Sequence, residues 1–121
     1  MRSQLDNYPR AARLTRPTEY ARVFEGAKRV ADRYFTVLVI QNESGRARLG
    51  LAVSKRTAAS AVVRNRIKRG IREAFRLHQR EVAGKDLVVI AKPPTRAAPG
   101  ALLNRSLCQL WQQVSQRCER P

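Results

Sequence analysis

Ala61-Val62-Val63-Arg64-Asn65-Arg66-Ile67-Lys68-Arg69-Gly70-Ile71-Arg72-Glu73-Ala74-Phe75-Arg76 has the period of a helix and two opposed chemical faces. At about 100° per residue, Val63, Ile67, Ile71 and Ala74 fall within a sector of roughly 80°. Arg64, Lys68, Arg72, Asn65, Arg76 and Arg69 spread over about 140° on the other side, with Arg66 apart, beyond Arg69. One face is suited to packing on a sheet; the other is almost purely cationic. Glu73 is the sole carboxylate of the segment. A solvated surface helix normally mixes signs, because Glu–Lys pairs four residues apart stabilise it. Here Arg64, Lys68 and Arg72 repel at that same spacing, a penalty without a folding benefit. Arginine dominates, and its planar fork suits bidentate contact with phosphate and stacking on bases. Asn65 is either a reader of a base edge or sugar hydroxyl, or simply a tolerated polar residue.

Working outward, the helical pattern covers residues 57–80 and is preceded by a strand, Ala47–Val53. Leu49, Leu51 and Val53 point one way. Gly50, Ala52 and Ser54 point the other, a shallow face that something can approach closely. Upstream, Tyr34-Phe35-Thr36-Val37-Leu38-Val39-Ile40 is a strong strand of β-branched and aromatic residues. Gln41-Asn42-Glu43-Ser44-Gly45 is turn chemistry, which predicts a hairpin between these two strands. Before them, Pro17 suits a first helical turn, Glu19 favours its N-terminal dipole, and Tyr20, Val23 and Phe24 share one face of a short helix stopped by Gly26. Downstream, Lys85–Lys92 is a buried third strand. Pro93-Pro94 and Pro99-Gly100 bracket a loop, and Leu103, Leu107, Leu110, Trp111 and Val114 supply the stripe of a C-terminal helix. Residues 1–13 are expected as a mobile basic arm and 116–121 as a frayed tail. Without a repeat or a linker, residues 1–121 read as a single α+β or α/β domain: a small mixed sheet with about three helices.

The whole composition agrees with a polyanionic partner. Twenty-five Lys and Arg stand against nine Asp and Glu, a net charge of +16. With 43% apolar residues the chain can still bury a core. Self-repulsion on this scale favours a nucleic-acid partner, ahead of an anionic membrane surface, because the charge is arginine-rich and lies within a globular pattern. No secretory signal or window of ~18 apolar residues is visible, so a cytoplasmic protein with no membrane partner is expected. Cys108 and Cys118 are ten apart, a spacing that fits neither a zinc knuckle nor a redox pair, and are read as reduced thiols. A stand-alone nuclease would need clustered carboxylates or paired acid and base groups. The acids are scattered, and the one histidine, His78, is read as a helix-end contact rather than a catalyst.

Arg64-Asn65-Arg66-x-Lys68-Arg69-x-x-Arg72 resembles the signature of the bacterial ribonuclease P protein family. Gly50-Leu51-Ala52-Val53-Ser54-Lys55-Arg56 is similar to that family's strand leading into the helix. Glu19-Tyr20-x-x-Val23-Phe24 resembles its first-helix motif, Arg33-x-Phe35 the start of a strand, and Asp86-Leu87-Val88-Val89-Ile90-Ala91 the strand after the basic helix. The resemblance covers about residues 12–115 in one order. It implies an α/β sandwich, ribosomal protein S5 domain 2-like, in which the basic helix makes a left-handed crossover between parallel strands. It implies a non-catalytic subunit that binds a catalytic RNA and precursor tRNA and promotes removal of the 5′ leader. Hydrolysis would be carried out by Mg2+ bound mainly by the RNA, with no catalytic residue or metal ligand on the protein and no obligatory protein partner. By similarity, Arg64, Asn65, Arg66, Lys68, Arg69, Arg72, Lys55 and Arg56 face the catalytic RNA. Tyr20, Phe24, Phe35 and Leu38 line a cleft for the single-stranded leader.

The residues themselves leave some roles open. Tyr20 and Phe24 either stack on unpaired bases or pack in the core; Phe35 lines the groove or lies in the core beneath it. Two positions depart from the family pattern: Leu38 stands where an aromatic is common, and Asp32 replaces an amide, a change that bears on a local ion site. The rival class is a ribosomal or other rRNA-binding protein, which would share size and charge but is not expected to combine this helix with an aromatic helix upstream. A DNA-binding protein ranks third, since neither a helix-turn-helix nor a dimeric arrangement is suggested.

Overall fold

Runs of β-branched residues form the centre of the molecule. The computed structural model describes residues 12–118. Four strands, β1 (Lys28–Ala31), β2 (Phe35–Gln41), β3 (Arg48–Ala52) and β4 (Lys85–Ala91), make one sheet in the order β1-β2-β4-β3. β4 runs antiparallel to β2 and parallel to β3. Three helices accompany them: α1 (Pro17–Gly26), α2 (Ala61–Leu77) and α3 (Gly100–Cys118). α2 is the crossover between the adjacent parallel strands β3 and β4.

The predicted hairpin does not form. Gln41–Gly45 reverses the chain, but β4 enters between β2 and β3 and pairs with both. The physical reason is burial. Leu87, Val88 and Val89 have no exposed surface, and a strand apolar on both faces gains most in the interior of a sheet. Turn chemistry fixes a reversal of direction, not the next neighbour. The loop is stitched to the inserted strand by the Asn42 N–H, which donates to the Gly84 carbonyl at 2.8 Å. β1 is an edge strand whose only buried side chain is Val30; with Lys28 and Arg29 beside it, the segment carries little strand signal.

The start of α2 also differs. Ser60 caps it, its hydroxyl accepting from the Val63 N–H, so helix begins at Ala61 rather than 57. Thr57 lies in a turn, where its hydroxyl donates to the Ala91 carbonyl at 2.9 Å. Ala12 and Arg13 are not part of an arm: Ala12 is buried in the core and Arg13 forms a parallel bridge to Leu49. The remainder of the expected arm, 1–11, lies outside the described residues. At the other end α3 continues through Cys118, so residues 116–118 are helix rather than tail; 119–121 are outside the described residues.

The sheet divides two apolar clusters. On one face Phe35, Val37, Val39, Leu49, Leu87 and Val89 pack with Ile67, Ile71 and Phe75 of α2 and Leu107, Leu110 and Trp111 of α3. Phe75 and Trp111 meet edge to face, with ring centroids 6.4 Å apart. On the other face Val23 of α1 packs with Leu14 and Val88, with Tyr20, Leu38, Ile40 and Ile90 around them.

That cluster has three buried members, Leu14, Val23 and Val88, and a charged network adds to it. Asp86 has no exposed surface. Its carboxylate accepts from Arg48 Nε at 2.8 Å and Nη2 at 2.7 Å, Asn42 Nδ2 at 2.7 Å, and Arg22 Nη1 of α1 at 3.1 Å. Arg48 also pairs with Glu19 of α1 at 2.7 Å. Burial alone would push the Asp86 carboxyl up. The hydrogen bonds from Arg48 and Asn42, with the charges of Arg48 and Arg22, outweigh burial and hold it below the usual carboxylate range. The Glu19 carboxyl is lowered first by the backbone N–H of Arg16, against a burial effect that raises it, and further by Thr15 N–H and Arg48. Carboxyls depressed on folding contribute stability that is fully present above about pH 4 and lost as pH falls through their folded values. Asp86→Asn is therefore expected to cost about 3 kcal/mol in urea unfolding at pH 7, since it leaves part-buried arginines without their counter-charge. The same variant should lose less stability between pH 5 and pH 2 than the parent; an acid limb of unchanged steepness would show that Asp86 does not set it.

Candidate nucleic-acid interface

Two chemically distinct surfaces lie on opposite faces of the sheet. The first is the outer side of α2. Its inward positions Ile67, Ile71, Ala74 and Phe75 are buried. Asn65, Arg69 and Arg72 are exposed and Lys68 is half-buried. Among the described residues, Lys68, Arg69 and Arg72 have no side-chain hydrogen bond or ion pair. Glu73 does not neutralise them. It pairs with Arg76, whose hydrogen bond holds its carboxyl below the ordinary range.

Two further arginines of the helix are committed to the protein itself. Arg64 was expected to face solvent with Lys68 and Arg72; instead its Nη1 donates to the carbonyls of Ala58 and Ala59 at 2.9 and 2.8 Å. It closes the turn before α2, where free carbonyls attract a cation. Arg66 Nη2 donates to the Arg96 carbonyl at 2.9 Å, turning toward the loop before α3. Lys55 and Arg56 are exposed on the tight turn after β3. That turn is held by the Thr57 and Ala58 N–H groups, both donating to the Ser54 carbonyl.

The second surface is the sheet face that carries α1. Strand register places Arg29, Leu38, Val88 and Gly50 in one cross-strand row and Ala31, Thr36, Ile90 and Ala52 in the next. Tyr20 stands over the first row: a Cβ on Gly50 would lie 2.7 Å from its ring. The side-chain-poor face read from β3 is thus partly occupied by a residue of the chain's own first helix. The second row makes a shallow floor beside α1, with Ile90 and Ala52 part-exposed. Phe24, one turn beyond Tyr20, is 53% exposed, so of the two roles open to it, stacking and core packing, its ring is not in the core. Leu38 is half-buried on this face, packed in the α1 cluster.

Phe35 does not belong here. It is fully buried on the opposite face, against α2 and α3. In a strand, neighbours alternate sides, so Phe35 and Leu38 cannot both line one face. Asp32 has a structural role. Its Oδ1 accepts the Tyr34 and Phe35 N–H groups at 2.8 and 2.9 Å, and Oδ2 accepts the Ser106 hydroxyl. Protein donors therefore engage both oxygens, tying the β1–β2 turn to α3. His78 caps the end of α2 and meets Glu81 at 2.8 Å and the free thiol of Cys108 at 3.5 Å. Burial pushes that thiol up, with the Glu81 charge adding to the shift. Among the described residues no group of three His, Cys, Asp or Glu side chains could hold a metal ion, and no helix is long and apolar enough to cross a membrane.

Sequence reasoning missed the Asp86 network. Its available signal was one acid at the head of an apolar strand, which demands buried cations for company. The Tyr20–Gly50 contact yields a direct test. Gly50→Ala is expected to displace the Tyr20 ring and cost about 1–3 kcal/mol in denaturant unfolding, whereas a neutral effect would place the ring elsewhere.

Residues 8–115 match the protein family described as Ribonuclease P. The ribonuclease P protein component of Thioalkalivibrio sulfidiphilus is 44% identical, over 94% of this chain and 95% of the relative. The fold is similar to that of the Staphylococcus aureus RNase P protein, with a TM-score of 0.78 at 36% identity, covering 83% of this chain and 92% of that one. The RNase P protein from Thermotoga maritima gives 0.76 at 27% identity, covering 84% and 96%. Sequence, fold and the cationic helix agree: the chain belongs to the ribonuclease P protein family.

Proposed function

We propose that this protein is the RNA-binding subunit of ribonuclease P, holding the catalytic RNA along α2 and the 5′ leader of precursor tRNA beside α1. The observation that carries the reading is the row of Lys68, Arg69 and Arg72, which have no partner among the described residues on a helix whose only acid is engaged by Arg76. Such a row is destabilising in the free protein and favourable against phosphates, whose condensed counterions it releases. Lys55 and Arg56 extend the cationic surface around the end of the sheet. On the other side, the Phe24 ring and the shallow floor suit an unpaired strand, which is bound by stacking more than by hydrogen-bond readout.

The carboxylates support a subunit that leaves the chemistry to RNA. Glu19, Asp32, Glu73, Glu81 and Asp86 each engage a side chain or N–H of the protein. Hydrolysis is then the task of Mg2+ ions held by the RNA, and the protein raises affinity for the leader-bearing substrate. With no side chain committed to catalysis, the assembled ribonucleoprotein is the endonuclease, working in the cytoplasm where its tRNA precursors are made.

Incubation of precursor tRNA with RNA-free protein, RNA alone, and both, in magnesium, tests this reading. Correct 5′ cleavage should require the RNA; cleavage by protein alone contradicts it. Combined Lys68→Ala, Arg69→Ala and Arg72→Ala should leave the fold intact and make the log–log salt dependence of assembly shallower by about two to three units. Phe24→Ala should weaken holoenzyme binding of precursor tRNA by roughly five-fold or more, the loss of one base stack, and leave mature tRNA binding and assembly near normal. Because Phe24 is exposed, this change removes little packing, and it is a cleaner probe than any change at Tyr20. Equal losses for precursor and mature tRNA would reject the leader surface.

A further inference from the structure

We propose that the cavity between α2 and the N-terminal half of α3 receives one unpaired adenine of the RNA that lies along α2. The inference rests on the reading of α2 as the face for the catalytic RNA and adds to it a base-specific subsite. The cavity holds about 350 Å³, within the range of small-ligand sites. Its walls are Ile67 and Ile71 of α2 and Leu103 and Leu107 of α3; Arg66, Asn104 and Glu73, whose carboxylate is paired with Arg76, are also part of its lining. A planar body with a polar edge fits such a site: hydrocarbon contacts the ring, and the few polar groups read the edge.

Two glycines keep the site accessible. Gly70 lies in the interior of α2, where glycine is the least favourable residue after proline. Gly100 opens α3. Both line the cavity, and a Cβ on either would meet nothing within 4 Å. The chain's own packing therefore requires neither glycine, and the space in front of them is free for another molecule.

The polar groups point to RNA rather than to a free metabolite. Arg66, which lines the cavity, neighbours Arg69 of the cationic row at three residues' spacing on the helix surface, so a strand bound along that row passes beside the cavity. Arg66 stands off the main cationic stripe, held by its bond to the Arg96 carbonyl; it supplies a positive charge for the phosphate of an inserted nucleotide. Asn104 is exposed, and its amide has no partner among the described residues. An amide offers a donor and an acceptor side by side, which match the N1 and amino group of adenine on its Watson–Crick edge.

The test uses the full chain assembled with its catalytic RNA and probed with dimethyl sulfate, which methylates adenine N1 when it is unpaired and accessible. The wild-type protein should protect at least one unpaired adenine. Gly70→Leu fills the cavity with a better helix former, so it should fold with an undiminished melting temperature. It should abolish that protection and weaken assembly by about ten-fold, on the scale of losing one stacked base. Asn104→Ala, on an exposed position, should restore N1 reactivity even if Gly70→Leu perturbs the fold. Wild-type protection and affinity in both variants would overturn the proposal, as would the absence of any protected adenine. The Lys68, Arg69 and Arg72 alanine variant separates the two claims. If it weakens assembly while Gly70→Leu and Asn104→Ala do not, the RNA face stands and the base site falls. If it has no effect on assembly, the face and the site fall together.

Discussion

β4 gives almost nothing to solvent: of its seven residues Ile90 alone is part-exposed. Leu87 and Val89 are buried toward α2 and α3, and Val88 and Asp86 toward α1. A strand of this kind must lie inside the sheet with cover on both faces, and the rest of the architecture follows. β2 and β3 take its two edges, although they precede it and are joined by a turn. The 17-residue α2 carries the chain from β3 back to the start of β4, because adjacent parallel strands need a long crossover. α2 and α3 fill the larger face. The ten-residue α1 covers only part of the other, which leaves a shallow strip beside it.

This arrangement gives a strongly basic chain two separate surfaces. A net charge of +16 opposes compaction, and several acids are placed where they counter it most. Asp86 is ringed by Arg48, Arg22 and Asn42, and Glu19 adds a second contact to Arg48. The network docks α1 and so positions Tyr20 and Phe24. Across the sheet, Lys68, Arg69 and Arg72 are left without such company among the described residues. Their repulsion is the part of the charge that bound phosphates would relieve, and in the proposed function folding and assembly therefore use different cations.

The elements were largely legible and their neighbours were not. The 3.6-residue period around Ile67 and Ile71 and the Leu103–Val114 stripe located α2 and α3, and apolar density located β2 and β4. Their pairing was misread, because Asn42–Gly45 advertises a local reversal while the gain that inserts β4 comes from burial more than forty residues away in sequence. The site was legible where chemistry is carried by residue type, as in the cationic face. It was not legible where the direction of one side chain decides. Arg64 looks like its neighbours Lys68 and Arg72 but is drawn to the Ala58 and Ala59 carbonyls. Phe35 looks like a groove aromatic, but alternation along β2 sends it to the core. Tyr20 and Gly50 gave no sign of each other, since only the docked helix brings them together.

That the catalytic RNA and the leader occupy opposite faces of one sheet can be tested by cleavage from tethered iron chelates. With Cys108→Ser and Cys118→Ser as background, a chelate is attached through Val62→Cys on α2, at a side chain 79% exposed, or through Glu25→Cys on α1, beside Phe24. In holoenzyme bound to precursor tRNA, hydroxyl radicals from the α2 position should cut the catalytic RNA, and those from the α1 position should cut the 5′ leader. Cuts from both positions in the same RNA segment would contradict the division of the two faces.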